Sequence, residues 1–194
     1  MPSITGPTVR EHRASMESAL IDASEELLLE SGRLTVALVA QRVGLSRNGM
    51  YKYVNGPDDL IEAVATRHLP EWVGAVSSAV AEAGEDARAR IRAYVRVNLE
   101  QAVGGRHAWR AALASASLSP QARARIAARH AEVESLVRAA LDDLRVGDAD
   151  LVRSAIGALL SAGVSALDRG EAPERIIAFT IDAVESVLAC RGGA

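Results

Sequence analysis

The chain has 194 residues, of which 49% are apolar but only 3% aromatic, so any core must be built from Ala, Leu, Val and Ile. The net charge of −3 does not by itself point to a nucleic-acid partner, and the single cysteine, Cys190, excludes an internal disulfide. Segments rich in Ala and Leu, with little Gly or Pro inside them, favour helices, so we expect an all-α protein.

The first helix is predicted to follow a short N-terminal arm. The sequence TVRE at residues 8–11 fits a capping box, in which a Thr hydroxyl and a Glu carboxylate satisfy backbone amides of the first turn. Apolar residues then recur at helical spacing to about Ser31, and Gly32 supplies the stop. These apolar residues are Met16, Leu20, Ala23 and Leu27.

Residues 35–53, TVALVAQRVGLSRNGMYKY, encode two short helices separated by Gly44. Thr35 is predicted to cap the second helix, and Ser46 to cap a third helix that runs from Arg47 to about Val54. Ala40 is small where the two helices approach each other. The pattern is that of a helix-turn-helix. The residues expected to pack inward are Leu38, Val39, Val43, Leu45 and Met50.

No carboxylate occurs between Glu30 and Asp58, although four basic residues do. This interval therefore predicts a local positive patch in an otherwise acidic chain. The four basic residues are Arg33, Arg42, Arg47 and Lys52. Arg33 and Arg42 are expected to face solvent or to make distant phosphate contacts.

The third helix is predicted to enter the major groove of DNA with its N-terminal residues, Ser46, Arg47 and Asn48, at the base edges. Arg47 suits a paired contact to guanine and Asn48 one to adenine. Lys52 and the hydroxyls of Thr35, Tyr51 and Tyr53 suit phosphate contacts. Tyr51 and Tyr53 have packing as an alternative role, and Arg47 has simple solvation.

A fourth helix is predicted to begin at Pro57, with Asp58 and Asp59 in its first turn, and to continue to about Ala83. Pro70 lies inside its apolar pattern, which predicts a kink or break there. Five further helices are expected, giving about nine in all. They span roughly residues 85–103, 106–117, 120–144, 148–168 and 172–190.

The helix-turn-helix segment resembles the DNA-binding head of the TetR family of bacterial regulators. The residues that carry the resemblance are Thr35, Ala40, Gly44, Leu45, Ser46, Gly49, Met50, Tyr51, Tyr53 and Val54, with Asp59 and Leu60 at the start of the fourth helix. The match covers about residues 10–70. Asn48 stands where Gly or Pro is usual, Val54 where a bulky Phe is usual, and Pro57 where a phosphate-contacting basic residue is common.

The resemblance implies two domains: a DNA-binding domain over residues 8–56 and a ligand-binding and dimerisation domain over residues 57–194. It also implies a homodimer through a four-helix bundle of the last two helices. Two apolar stripes suit that role, one of Val152, Ile156, Leu159, Leu160, Gly163 and Leu167 and one of Ile177, Ile181, Val184 and Leu188. An ordinary core within one chain is the alternative.

An effector pocket is expected between the fourth helix and the helix over residues 120–144. Trp72 and Trp109 are expected to form the walls of this pocket. Tyr94 and Asn98 share one helical face and are expected to form a polar stripe that faces the pocket. His107 and His130 are further candidates for hydrogen bonds. The alternative is that the tryptophans only fill the core.

Together these patterns predict a cytoplasmic regulator that is not an enzyme and needs no cofactor or metal. We expect double-stranded operator DNA, a small-molecule effector and a second copy of the chain as its partners, with no membrane. Repression relieved by the effector at a palindromic operator is the expected mode. The alternative is a helical scaffold or small-ligand-binding protein without DNA binding. Cys190 is expected to be an ordinary apolar residue rather than a redox switch.

Overall fold

The computed structural model describes residues 9–31, 33–103 and 118–191, and every regular element in these ranges is a helix. This confirms the expected all-α class. The described helices are α1 Val9–Ser31, α2 Val36–Val43, α3 Arg47–Met50, α4 Pro57–Glu82, α5 Ala87–Ala102, α6 Pro120–Asp143, α7 Ala149–Asp168 and α8 Pro173–Arg191. The N-terminal arm, Thr8, Gly32 and the helix expected over residues 106–117 lie outside the described residues.

The chain divides into two compact units. Unit 1 comprises Met1–His68 and Trp109–Ile126, and unit 2 comprises Leu69–Ala108 and Ala127–Ala194. Helices α4 and α6 therefore each contribute residues to both units. The functional division predicted after residue 56 stays a prediction.

The core of unit 1 is built where α1, α2, α3 and the start of α4 contribute apolar side chains. Its buried members are Leu20, Ala23, Leu27, Val36, Val39, Ala40, Met50 and Leu60. The expectation that Leu38 packs inward is wrong, because its side chain is 38% exposed. Val39 is buried as expected, and Val36 and Ala40 complete the buried face of α2.

Polar contacts also hold α4 to α1 within unit 1. Arg67 forms ion pairs with Asp22 and with Glu25, and the Nε2 atom of His68 lies 3.0 Å from a carboxylate oxygen of Glu25. These pairs lie on the turn of α4 that precedes Pro70. The helix continues through Pro70 without a break, and the boundary between the two units falls next to this proline.

The start of α6 is fastened to the start of α4, also within unit 1. The Ser119 backbone N–H donates to Asp58 Oδ2 at 3.0 Å, and the Ser119 hydroxyl accepts from the Ala122 N–H at 3.2 Å. Arg125 pairs with Glu62 at 2.7 Å. Hydrogen bonds from the Ser119 hydroxyl and backbone hold the pKa of Asp58 below its usual value. Asp58, predicted to stabilise the N-terminus of α4, therefore also holds the start of α6 in place.

Unit 2 has its core among α5, the later turns of α6, and α7 and α8. Fully buried members include Ile91, Val95, Leu99, Ile156 and Leu188. At the margin, Arg88 and Arg92 each lie 2.8 Å from Glu185 of α8. The helices approach each other closely at Gly163, where a Cβ atom would lie 2.9 Å from Leu99 Cδ2 and 3.0 Å from Thr180 Oγ1.

We expect Gly163→Ala to destabilise the protein by about 1 kcal/mol, because overpacking against buried Leu99 outweighs the helix-propensity gain of alanine. Gly74→Ala is the matched control: Gly74 is also helical, and a Cβ there meets no atom within 4 Å. That variant should be about 0.5–1 kcal/mol more stable than the wild type. Free energies of unfolding in denaturant test both, and equal gains for the two variants would contradict the close contact.

Candidate nucleic-acid interface

Helix α2 is capped at both ends by nearby residues, and its C-terminal cap forms the tight turn that leads to α3. The Thr35 hydroxyl accepts from the Leu38 N–H at 3.2 Å, which confirms the predicted cap of α2. At the other end Gly44 has a φ of +73°, a conformation that favours glycine, and the Leu45 N–H returns to the Ala40 carbonyl at 2.9 Å. The sequence pattern thus fixes the turn.

Ser46 caps α3 as predicted, accepting from the Gly49 N–H at 3.0 Å. The regular helix is shorter than the expected span to Val54, because it ends at Met50. Beyond it the Lys52 N–H bonds to the Gly49 carbonyl at 3.3 Å and the Tyr53 N–H to the Met50 carbonyl at 2.9 Å. These two bonds have three-residue spacings, whereas the Val54 N–H bonds to the Met50 carbonyl at 3.1 Å with a four-residue spacing, so α3 is followed by one irregular turn.

Six of the seven residues predicted to contact DNA have exposed side chains, and the seventh, Tyr53, is half-buried. The six are Thr35, Ser46, Arg47, Asn48, Tyr51 and Lys52. All seven belong to unit 1. Met50, on the opposite side of α3, is fully buried in the unit 1 core. The short helix is thus anchored by one side chain and presents the others to solvent.

Tyr53 has a neighbour that the sequence patterns did not identify. The Cζ atom of Arg13, on α1, lies 5.8 Å from the centre of the Tyr53 ring. Tyr53 also packs against the unit 1 core, which agrees with packing as its alternative role. No sequence signal connects two residues so far apart in the chain, since only the packing of α1 against the helix-turn-helix brings them together.

Arg42, which is counted in the predicted positive patch, forms ion pairs within the chain. Its guanidinium lies 2.9 Å from Glu26 Oε2 and 2.8 Å from Glu30 Oε2, both on α1. Hydrogen bonds between Arg42 and Glu30 raise the pKa of the guanidinium and hold the pKa of the Glu30 carboxylate below its usual value. Arg42 therefore joins α2 to α1, and the carboxylates absent from its segment are supplied by another helix.

The predicted effector residues are brought together in part, inside unit 2. Trp72 and Asn98 are buried, and the indole N–H of Trp72 donates to Asn98 Oδ1 at 3.0 Å. The Asn98 amide donates in turn to the backbone carbonyl of Tyr94 at 2.8 Å. The rings of Trp72 and His130 lie 5.2 Å apart. Trp109 and His107 lie outside the described residues.

The apolar stripes assigned to a dimer interface pack mainly within one chain. Val152, Ile156, Leu160, Ile177, Ile181, Val184 and Leu188 are buried in the core of unit 2, with Leu159 and Leu167 packed at its edge. The alternative of an intrachain core holds for these residues. The outer face of the pair carries different apolar side chains, including Leu151 at 63% and Phe179 at 68% exposure.

A groove of about 370 Å³ runs along this outer face, lined by Leu151, Val152, Ala155, Ser186, Val187 and Cys190. Helix α7 is also the one described helix that is long and apolar enough to cross a membrane by length and composition alone. Only 28% of that stretch is buried within the chain. The core helix of a soluble protein passes the same test, so this result is weak evidence for a membrane span. It does show that much of the apolar surface of α7 is not buried within the chain.

No protein-family model and no curated protein matches this sequence. Solved structures do match it over nearly the whole chain. A transcriptional regulator from Rhodococcus sp. Rha1 has a TM-score of 0.73 at 18% identity, covering 92% of this chain and 98% of that one. The TetR family transcriptional regulator PfmR from Thermus thermophilus has a TM-score of 0.64 at 18% identity, covering 94% and 97%.

A TetR family transcription regulator from Marinobacter aquaeolei is similar to the same degree, with a TM-score of 0.65 at 17% identity and coverages of 92% and 98%. The chain thus has the fold of TetR-family regulators, as the resemblance implied. Identities this low show a shared fold, and function has to be argued from the site.

We expect Ser46→Ala to cost about 1 kcal/mol of stability, because the Gly49 N–H loses its cap. Ser46→Asp keeps a capping oxygen and places a negative charge at the helix N-terminus, so its stability should stay close to that of the wild type. Thermal and denaturant unfolding distinguish the two variants. An unchanged stability of Ser46→Ala would show that the cap contributes little.

Proposed function

We propose that this chain is a DNA-binding transcriptional regulator that inserts α3 into the major groove. The observation that carries the proposal is the presentation of α3: Met50 holds one side in the core while Arg47, Asn48 and Lys52 project outward. The TetR-like fold is consistent with this role. The chain would act by binding alone, without catalysis and without a cofactor or metal.

The chemistry of the exposed side chains suits duplex DNA. The major groove, about 12 Å wide, admits a single helix, and Arg47 and Asn48 near the start of α3 can reach base edges. The guanidinium pairs with guanine and the amide with adenine. Lys52 and the hydroxyls of Thr35 and Tyr51 are also exposed and would contact phosphates. Tyr53 adds a hydroxyl at the margin of the same surface.

We propose further that two copies associate through the outer faces of α7 and α8. Exposed residues on that face of α7 are small and uncharged: Ser154, Ala158, Ser161, Ala162 and Ser165. Leu151 and Phe179 add exposed apolar area that a monomer would leave in water. A dimer would carry two heads, and two heads spaced about one helical turn apart read a palindromic operator.

The effector part of the proposal rests on unit 2. Trp72 and Asn98 are buried and hydrogen-bonded to each other, and Asn98 also bonds to the backbone carbonyl of Tyr94. These three residues are the proposed wall of a small-molecule site in unit 2. Effector binding would shift the population between conformations that differ in the positions of the two heads. Helices α4 and α6 contribute to both units, so they are the natural routes for that change. We propose release from DNA as the outcome.

The double variant Arg47→Ala, Lys52→Ala should lose binding to the duplex upstream of the chain's own gene, because base and phosphate contacts are both removed. Both residues are exposed, so the fold and the oligomeric state should be unchanged. Fluorescence anisotropy gives the affinity, and the wild-type affinity should fall steeply with added salt through counterion release. Unchanged binding by the variant would contradict the groove assignment and favour a scaffold or ligand-binding protein.

Phe179→Glu and Leu151→Glu should each convert a dimer to a monomer, because an unpaired carboxylate would be buried in the apolar interface. Leu29→Glu is the matched control: Leu29 is also an exposed leucine, but it lies on α1 in unit 1. That variant should remain dimeric. Sedimentation or light scattering measures the mass, and a monomeric wild type or a dimeric Phe179→Glu would exclude this interface.

A further inference from the structure

The first turns of α1 add a cationic side chain beside the C-terminal end of the helix-turn-helix. Arg13 lies over the face of the Tyr53 ring, with 5.8 Å between the guanidinium carbon and the ring centre. A guanidinium within about 6 Å of an aromatic face is attracted by the negative potential of the ring. This contact positions Arg13 next to a residue already placed in the proposed DNA interface.

The arginines near the start of α1 do not match the helix dipole. Negative charge is favourable at a helix N-terminus and positive charge at the C-terminus. Here Arg10 and Arg13 lie near the start, accompanied by Glu11, while the last turn has no basic residue. Glu26 and Glu30 near the end are explained by their ion pairs with Arg42. The helix dipole therefore does not account for the two early arginines.

Within the free chain Arg13 is held by a weak partner. Its Nε lies 2.9 Å from Glu17 Oε1, and the two side chains are 61% and 50% exposed. Exposed pairs contribute little, and an acidic residue four positions after a basic one is the weaker order on a helix. A guanidinium carries five N–H donors, of which this bond uses the one on Nε. Arg13 can therefore change partners at small cost.

We propose that Arg13 contacts a phosphate of duplex DNA at the Tyr53 edge of the interface, and that Glu17 weakens DNA binding by competing for the same guanidinium. The planar fork of Arg matches two phosphate oxygens, which a carboxylate bond through Nε alone does not exploit. Removal of Glu17 would also remove a negative charge that lies near the bound phosphates. The inference rests on the proposed function, since it requires α3 to bind DNA.

The test uses the full chain with two duplexes of equal length, one from upstream of its own gene and one of unrelated sequence. Affinity is measured by fluorescence anisotropy across a salt series. Because a phosphate contact is independent of sequence, Arg13→Ala should weaken binding to both duplexes. The slope of log affinity against log salt should fall by about 0.9 for each protomer bound. Glu17→Gln should instead strengthen binding to both duplexes several-fold.

Arg138→Ala is the matched control, since it removes the same charge from an exposed arginine of α6 in unit 2. It should leave the slope unchanged, and Arg13→Lys should restore part of it. Arg13→Ala behaving like Arg138→Ala, or Glu17→Gln failing to gain affinity, overturns the inference. If Arg47→Ala, Lys52→Ala still abolishes binding in that case, the proposed function stands. A wild type that binds neither duplex overturns both.

Discussion

The burial of Met50 is the contact on which the rest of the candidate interface depends. Helix α3 has only four residues, too few to be stable alone, since the first turn of any helix is unfavourable to form. The Met50 side chain reaches the core formed with α1, α2 and α4, while the Ser46 hydroxyl satisfies an amide at the start of the helix. These two contacts fix the direction in which Arg47, Asn48 and Lys52 project.

The electrostatics of unit 1 separate structural arginines from those available for binding. Arg42 is held by two carboxylates and Arg67 by Asp22 and Glu25, so both are engaged in joining helices. Arg47 and Lys52 are exposed on the surface of the helix-turn-helix. Arg13 is intermediate, because it has both a weak carboxylate partner and an aromatic one. A net charge of −3 for the chain is thus compatible with a locally cationic face.

Helices α7 and α8 have two apolar faces, one buried in the core of unit 2 and one exposed. The inner face, with Ile156 and Leu188, forms the core of unit 2, and Gly163 permits close contact with Leu99 and Thr180. The outer face, with Leu151 and Phe179, remains exposed in a single chain. A sequence pattern that is apolar nearly all round a helix records both faces together. Such a pattern predicts burial without stating which neighbour provides it.

Local sequence patterns were enough to predict the all-α class, the helix-turn-helix, its caps at Thr35 and Ser46 and its turn at Gly44, with most helix bounds within a few residues. Each of these depends on residues a few positions apart, whose geometry the local backbone dictates. It took the packed fold to pair Arg42 with Glu26 and Glu30, Trp72 with Asn98, and Arg13 with Tyr53, and to leave Leu38 exposed. Contacts between helices depend on how whole faces pack, and spacing along one chain segment carries no information about the partner that a distant segment supplies.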